Sequence, residues 1–358
     1  MEQRSRIHVP GFVDLQVNGY LGTSFTSTAL TRESLVTVCR ALLADGGCVA
    51  IMPTVVTTSR EIYAHALPLI AELIEDAASV GLEGRILGIH LEGPFISAEP
   101  GAKGTHPAAH CAAPSIERFE ELQAFARGHV KLVTIAAERA GAAEFCRWAV
   151  AHGVVVSLGH MLAGASDVRA LADAGATLLT HLGNGLPNLV HRHETSLWAS
   201  LAEDRLSAML ITDGQHLRSE SIVTFVRAKG LKRTILTSDV APVAGLADGV
   251  YACFGTQVRV EGEYVRNATE PCLAGSGALM LRCVNHLASI ALVRSDGGGG
   301  GAGGSEAPRR LTREELVQVA FRNPLRAIGL DPEVVLDAWS ARAPLVRWRG
   351  VEGDFVLA

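Results

Sequence analysis

Eight short apolar runs alternate with helix-like segments along the chain, and this alternation limits the possible folds more than any other feature. The runs occupy residues 11–19, 49–55, 86–92, 130–136, 154–157, 177–180, 207–212 and 234–238. Strands that alternate with helices form a parallel sheet, and eight such units are typical of a closed TIM-type (β/α)8 barrel. A doubly wound open sheet is the alternative, but it usually carries a glycine-rich dinucleotide-binding turn after its first strand. The sequence has no such turn, so we predict the barrel.

Smaller elements are expected beyond the eighth strand. They are a hairpin over about residues 250–266 that turns near Glu261-Gly262, a helix over 276–293, a flexible glycine-rich loop over 296–305 and a terminal hairpin over 344–357. We therefore predict one barrel over residues 10–330, with the first hairpin and the glycine-rich loop as insertions. Residues 1–9 and 331–358 are expected to form a reduced β appendage.

Composition indicates the class of partner and the compartment. The 358 residues are 48% hydrophobic, the net charge is −5 and the pI is about 6.2, with no cluster of basic residues that would indicate nucleic-acid binding. The mean hydropathy is +0.24, but no apolar run approaches the roughly 20 residues of a membrane-spanning helix. Residues 1–6 lead into no signal-peptide pattern, and the seven cysteines include no C-x-x-C pair. We expect a cytoplasmic protein that acts on small molecules and binds neither nucleic acid nor membrane.

Polar side chains end four of the predicted strands. They are Glu92 after the third strand, His160 after the fifth, His181 after the sixth and Asp239 after the eighth. The carboxyl ends of the strands form the catalytic face of a TIM barrel. One carboxylate with two imidazoles is a common catalytic ligand set for zinc or a similar divalent ion, and it leaves a position open for water. Because Asp239 is placed to act as general base toward that water, the pattern favours metal-assisted hydrolysis.

Each of these four residues also has an ordinary structural explanation. A single histidine at a strand end is usually a hydrogen-bonded structural residue, Glu92 could solvate a turn, and Asp239 could cap the segment that follows it. The structural explanation, however, requires four coincidences at the same end of one barrel. We therefore favour the metal site.

Several short motifs occur in a fixed order along the chain. They are PGFVDLQVNG at residues 10–19, HLEGPF at 90–95, KGTHP at 103–107, GH at 159–160, THLGN at 180–184, DGQH at 213–216, LAGS at 273–276 and RNPLRAIGL at 322–330. Together they resemble the N-acetylglucosamine-6-phosphate deacetylase family of the amidohydrolase superfamily. The resemblance implies an amidohydrolase that removes the acetyl group from N-acetylglucosamine 6-phosphate, giving glucosamine 6-phosphate and acetate, in amino-sugar metabolism.

The same resemblance implies roles for individual residues. Glu92, His160 and His181 match the residues that hold one divalent metal ion per subunit, and Asp239 matches the catalytic acid/base. His106 matches a catalytic residue that polarises the acyl carbonyl of the substrate. The other substrate-binding positions are Thr105 beside His106, Asn184, Gly185 and His216 at the sugar phosphate, Arg192 at the phosphate bound by the neighbouring subunit, and Leu273, Ala274 and Gly275 along the sugar. The role of Arg192 implies a homodimer.

The first strand indicates how many metal ions are bound. Many amidohydrolases carry His-x-His there and bind two ions, whereas this chain has Gln16-Val17-Asn18, whose neutral amides are poor ligands. One ion is therefore expected, with zinc favoured and iron, manganese or cobalt suited to the same ligands. Two other functions stay open: deacetylation of another N-acyl amino sugar or related N-acyl compound, and a catalytically inactive barrel that acts as a binding protein.

Overall fold

The computed structural model describes residues 11–293, 308–339, 342, 345–349 and 354–358. The predicted appendage residues 1–9 and the glycine-rich loop at 296–305 lie outside these ranges. In the described part of the chain, no helix is long and apolar enough to cross a membrane.

Eight parallel strands form the central sheet, in the order in which they occur along the chain. They are β1 (Phe12–Val17), β2 (Cys48–Val56), β3 (Ile89–Glu92), β4 (Val130–Ile135), β5 (Val155–Leu158), β6 (Leu178–Leu179), β7 (Ser207–Leu210) and β8 (Thr234–Leu236). The first and last strands meet through a parallel bridge between Val17 and Val240, and the amide of Asp239 donates to the carbonyl of Gln16 at 3.0 Å. The sheet therefore closes into the predicted TIM-type barrel.

Helices cover the outside of this barrel. They are α1 (Arg32–Asp45), α2 (Arg60–Glu75), α3 (Ile116–Phe125), α4 (Ala142–Ala151), α5 (Ala165–Asp173), α6 (Ser196–Ala202), α7 (Ser219–Lys229) and α8 (Met280–Ser289). Hydroxyl side chains begin several of them: Thr31, Ser59 and Ser115 each accept a hydrogen bond from a backbone amide in the first turn of the helix that follows. The apolar face of each helix packs on strands such as β2, which is buried at every position because the barrel interior covers its other face.

The segment after β8 differs from the predicted hairpin. Residues 249–267 form a three-stranded antiparallel meander of β9 (Gly249–Cys253), β10 (Thr256–Glu261) and β11 (Tyr264–Asn267). The predicted turn lies between β10 and β11, but a further turn at Phe254-Gly255 adds β9. The predicted helix over 276–293 is also shorter: α8 ends at Ser289, and β12 (Ala291–Val293) pairs with β13 (Arg309–Arg310).

The C-terminal part of the chain continues with short elements. They are α9 (Arg313–Val317), a π-helical turn (Gln318–Arg322), α10 (Asn323–Ala327), α11 (Pro332–Trp339), β14 (Val346–Arg349) and β15 (Asp354–Leu357). β14 and β15 pair as an antiparallel hairpin. Phe355 of this hairpin packs edge-on against Phe12 of β1, with ring centroids 5.2 Å apart. The hairpin therefore lies against the start of the barrel, at the end opposite the carboxyl ends of the strands.

Candidate active site

Backbone strain marks the strand ends that carry the predicted site residues. Among the described residues other than glycine, only six have a positive φ, and His160 (50°), His181 (29°) and Asp239 (51°) are three of them. This region of backbone space is unfavourable for residues with a side chain and is occupied when the surrounding structure requires it. Each of the three follows a barrel strand closely, so the strain turns each side chain into the mouth of the barrel.

Glu92, His160 and His181 direct three donor atoms to one point. Oε1 of Glu92 lies 2.8 Å from Nε2 of His181 and 3.2 Å from Nε2 of His160, and the two Nε2 atoms are 3.0 Å apart. All three residues are buried, with relative exposures between 2% and 6%. Ligand atoms bound to one divalent ion about 2.0–2.1 Å away lie at similar separations from one another. The donor set and its spacing therefore fit a divalent metal ion.

Hydrogen bonding and charge at these residues support the same fit. Nδ1 of His160 donates to the carbonyl of Ala102 at 2.7 Å, and this hydrogen bond orients its Nε2 toward Glu92. Burial opposes ionisation of Glu92, but hydrogen bonds from the two histidines hold its pKa well below the usual value. Burial also disfavours a charged His181, yet the hydrogen bond and charge of Glu92 outweigh it and raise the pKa of His181. The site thus favours positive charge where the donor atoms meet.

His106 is a fourth group beside this point. Its Nε2 lies 3.9 Å from Oε2 of Glu92, and its ring centroid is 4.4 Å from that of His160. Glu92, His106 and His160 also bring donor atoms within 4.8 Å of one another, so they form a second possible ligand set. The shorter distances favour the set with His181. Burial, followed by repulsion from His160, lowers the pKa of His106 to about 3, so this imidazole is neutral.

Asp239 lies beside the donor atoms and differs from Glu92 in its electrostatics. It is 8% exposed, and its Oδ1 accepts hydrogen bonds from Nδ2 of Asn18 at 2.8 Å and Nε2 of Gln16 at 3.0 Å. Burial, together with the charge of Glu92, raises the pKa of Asp239. Two neighbouring carboxyl groups whose pKa values are shifted in opposite directions are a common acid/base arrangement. Glu92 stays ionised, and Asp239 can gain and lose a proton.

A cavity of about 540 Å³ opens above these residues. Its wall includes most of the predicted substrate-binding residues: Thr105, His106, Asn184, Gly185, His216, Leu273 and Gly275. Ala274 does not reach the wall, because it is fully buried in a small apolar cluster beneath the meander. Arg192 is exposed and lies outside the cavity wall of its own chain. A side chain at Gly185 would place Cβ 3.0 Å from Nδ1 of His160, so the absence of a side chain lets this loop cross the histidine closely.

Sequence reasoning missed the support beneath His216. Nδ1 of His216 donates to Oδ2 of Asp213 at 2.8 Å, and Oγ of Ser276 donates to the same oxygen at 2.8 Å. Burial opposes ionisation of Asp213, but the hydrogen bond and charge of His216 lower its pKa to about 2. Asp213 therefore fixes the ring of His216 at the cavity wall. The only sequence signal was the three-residue spacing of the two side chains in the DGQH motif.

The outer rim of the cavity also carries residues that the sequence did not single out. Tyr264 and Arg266 of β11 line the cavity, and Arg266 is the only lysine or arginine on its wall within the described ranges. Nζ of Lys103 pairs with Glu270 at 2.9 Å, which joins the loop of His106 to the loop before Leu273. The rim therefore holds one cationic side chain facing the cavity.

Comparison with protein-family models gives no match. Among curated proteins, the chain is 34% identical to the N-acetylglucosamine-6-phosphate deacetylase of Bos taurus over 291 residues, which cover 78% of this chain and 68% of the relative. It is 35% identical to the Homo sapiens protein of the same name over 295 residues, with 78% and 69% covered. An N-acetylgalactosamine-6-phosphate deacetylase of Escherichia coli O157:H7 is 28% identical over 330 residues, with 92% and 80% covered.

Solved structures give similar matches. An N-acetyl-D-glucosamine-6-phosphate deacetylase mutant of Mycobacterium smegmatis in complex with N-acetyl-D-glucosamine-6-phosphate has a TM-score of 0.76 and 28% identity, covering 90% of this chain and 78% of that chain. The N-acetylglucosamine-6-phosphate deacetylase of Thermotoga maritima has a TM-score of 0.70 and 26% identity, covering 89% and 78%. The relatives found by sequence and those found by structure are thus both named as deacetylases of N-acetylated amino-sugar 6-phosphates.

Proposed function

The chain belongs to the N-acetylglucosamine-6-phosphate deacetylase family, as its motifs predicted, and from this premise we propose that it hydrolyses the acetamide of N-acetylglucosamine 6-phosphate. The products are glucosamine 6-phosphate and acetate. The observation that carries the proposal is the meeting of Glu92, His160 and His181 within 3.2 Å of one another beside Asp239. We further propose a cytoplasmic enzyme with a barrel over residues 10–330 and an appendage from residues 1–9 and 331–358 that includes α11 and the hairpin of β14 and β15.

One divalent ion per subunit, zinc by preference, is proposed to be held by Glu92, His160 and His181. Such an ion supplies Lewis acidity toward the acetamide carbonyl and the attacking water. His106 donates a hydrogen bond from its neutral ring to the carbonyl oxygen and stabilises the negative charge that develops there. This role requires an imidazole that keeps an N–H without a net charge, which the low pKa of His106 provides.

Asp239 is proposed to move the proton. As a carboxylate it accepts a proton from the attacking water while the water oxygen forms a bond to the acyl carbon. The protonated Asp239 then gives that proton to the amide nitrogen as the carbon–nitrogen bond breaks. Acetic acid and the free amine leave, the acid gives up its remaining proton to solvent to become acetate, and Asp239 returns to its ionised state. Its raised pKa suits both steps, because the group can hold the proton between them.

The rest of the cavity is proposed to bind the sugar phosphate. The backbone of Asn184 and Gly185 and the ring of His216 hold the phosphate, while Thr105, Leu273 and Gly275 border the sugar. Arg192 reaches the phosphate in the cavity of a second copy of the chain, because it is exposed and absent from its own cavity wall. The enzyme is thus proposed to be a homodimer with shared sites.

Amine release from N-acetylglucosamine 6-phosphate tests the reaction. We expect turnover of this sugar, with at least tenfold lower kcat/KM for unphosphorylated N-acetylglucosamine, because hydrogen bonds to a charged group contribute about 1.5–3 kcal/mol. N-acetylgalactosamine 6-phosphate belongs in the same assay, since one relative is named for that epimer. Metal content should be about one ion per chain. A metal-loaded protein that is silent on all three sugars would overturn the substrate, and one silent on every N-acyl compound would favour a binding protein.

Subunit mixing tests the role of Arg192. We expect Arg192→Ala to raise KM for the phosphorylated sugar about 10–100-fold, because one charge-assisted contact is lost. Mixing this variant with Asp239→Asn should restore activity to about one quarter of native, since half of the dimers are mixed and each holds one intact site. Arg266→Ala is the matched control. Arg266 lines the cavity of its own chain, so mixing Arg266→Ala with Asp239→Asn should produce no intact site and no gain in activity. Full activity in a protein that sediments as a monomer would contradict the shared site.

A further inference from the structure

The first barrel strand ends in two amide side chains that contact the carboxyl groups of the site. Nε2 of Gln16 lies 2.9 Å from Oε1 of Glu92 and 3.0 Å from Oδ1 of Asp239, so one amide group bridges the two acids. Nδ2 of Asn18 lies 2.8 Å from the same Oδ1 of Asp239 and donates no hydrogen bond to Glu92. Both amides are buried, with relative exposures of 0% for Gln16 and 2% for Asn18.

The carboxylates alone account for the orientation of both amides. An ionised carboxylate can only accept hydrogen bonds, so the NH2 group of each amide must face it. The amide oxygens gain nothing from this arrangement, because Oε1 of Gln16 and Oδ1 of Asn18 are buried without a partner. Buried polar atoms are almost always paired, and an unpaired one needs an explanation. Here the NH2 groups of Gln16 and Asn18 stay hydrogen-bonded to the carboxyl groups, although the oxygen of each amide has no hydrogen-bond partner.

Hydrogen bonding by these amides makes the two oxygens of Asp239 unequal. Oδ1 accepts from both side chains, whereas Oδ2 accepts from no side chain or backbone amide in the described ranges. Asp239 also lines the cavity. The oxygen that is free to take a proton is therefore Oδ2, and the rotation of the carboxyl group is fixed from beneath by Oδ1.

We propose that Gln16 and Asn18 are positioning residues with separable tasks. Gln16 couples the geometry of the ligand carboxylate Glu92 to that of Asp239, and Asn18 orients Asp239 alone. A neutral amide suits this position because it places two N–H donors between like charges without adding a competing metal ligand. The kinetic part of this inference rests on the proposed amide hydrolysis, but the part concerning metal affinity does not.

Two truncations separate the tasks. In Gln16→Met, the support of a ligand carboxylate is lost, so we expect the affinity for Zn²⁺, measured by chelator competition without substrate, to fall about 10–100-fold, with a fall in kcat as well. In Asn18→Ala, we expect unchanged Zn²⁺ affinity, unchanged KM and a kcat lowered on the order of 100-fold, because Asp239 loses one of the two hydrogen bonds that orient it. Gln257→Met, at an exposed amide of the meander, should change none of these quantities.

Three outcomes would overturn the inference: equal Zn²⁺ affinities in the two variants, native kcat in Asn18→Ala, or an Asn18→Ala effect confined to KM. Asn18 lies at the cavity wall, so its truncation enlarges the cavity and leaves no enclosed void. Asn18→Ala therefore tests half of the inference even if Gln16→Met does not fold. A wrong substrate assignment gives a different result: the native protein is then inactive in the assay, while the difference in Zn²⁺ affinity between the variants persists.

Discussion

Asp239→Asn is expected to lower kcat about 10²–10⁴-fold, the usual contribution of a general acid/base. The amide has the same shape as the carboxyl group but cannot take a proton from water or return one to the leaving amine. KM should change little, because Asp239 acts on the reacting atoms and is not proposed to hold the sugar or its phosphate. Metal content should also stay native, because Asp239 is not one of the three proposed ligands. Steady-state kinetics and metal analysis on the same sample measure both.

The pH dependence of this variant provides a second test. In the native enzyme, activity should rise with pH as Asp239 ionises. This rise should occur above the pH range of an ordinary aspartate, because burial and the charge of Glu92 raise the pKa of Asp239. The residual activity of Asp239→Asn should not show this rise with pH. Asp204→Asn is the matched control, since Asp204 is exposed and pairs with Arg233, which precedes β8, whereas Asp239 follows this strand. Activity within tenfold of native in Asp239→Asn would rule out this mechanism.

Strand ends made the barrel and its site predictable from the sequence. Glu92 ends an apolar run before Gly-Pro, a pair that cannot extend a strand, and the structure ends β3 at Glu92. Because all parallel strands of a barrel end at one face, the order of elements alone brought Glu92, His160, His181 and Asp239 to the same face. The left-handed backbone of the last three was not predictable, since nothing in a local sequence of ordinary residues indicates strain that the tertiary structure imposes.

Contacts between distant parts of the chain could not be predicted from the sequence. Gln16 and Asp239 are 223 positions apart, and their hydrogen bond exists because the barrel closes between its first and last strands. Neutral amides at that position predicted that no second metal would bind, but not that the amides donate to Asp239. The extra strand β9 was missed for a local reason: its turn places Phe254 at a positive φ, for which the sequence offers only the following glycine as a signal.

Loss of the metal ion is the other large effect that the structure predicts. We expect Glu92→Gln and His181→Ala to be purified with little bound metal and to be almost inactive, because each removes one of the three proposed ligands and two ligands hold the ion more weakly. His106→Ala should keep about one ion per chain and lose about 10²–10³-fold in kcat, the usual effect of removing one donor to a developing oxyanion. Metal analysis and kinetics of the three variants measure this.

The three variants also decide between the two ligand sets. Glu92 belongs to both, so its variant tests whether any metal is bound at this point. His181 has its Nε2 2.8 Å from Glu92, whereas Nε2 of His106 is 3.9 Å from the same carboxylate, and this difference favours His181 as the proposed ligand. If His106→Ala lost the ion and His181→Ala kept it, the ligands would be Glu92, His106 and His160. Oxyanion stabilisation would then need another donor, because His106 could not both bind the ion and donate to the carbonyl through the same nitrogen.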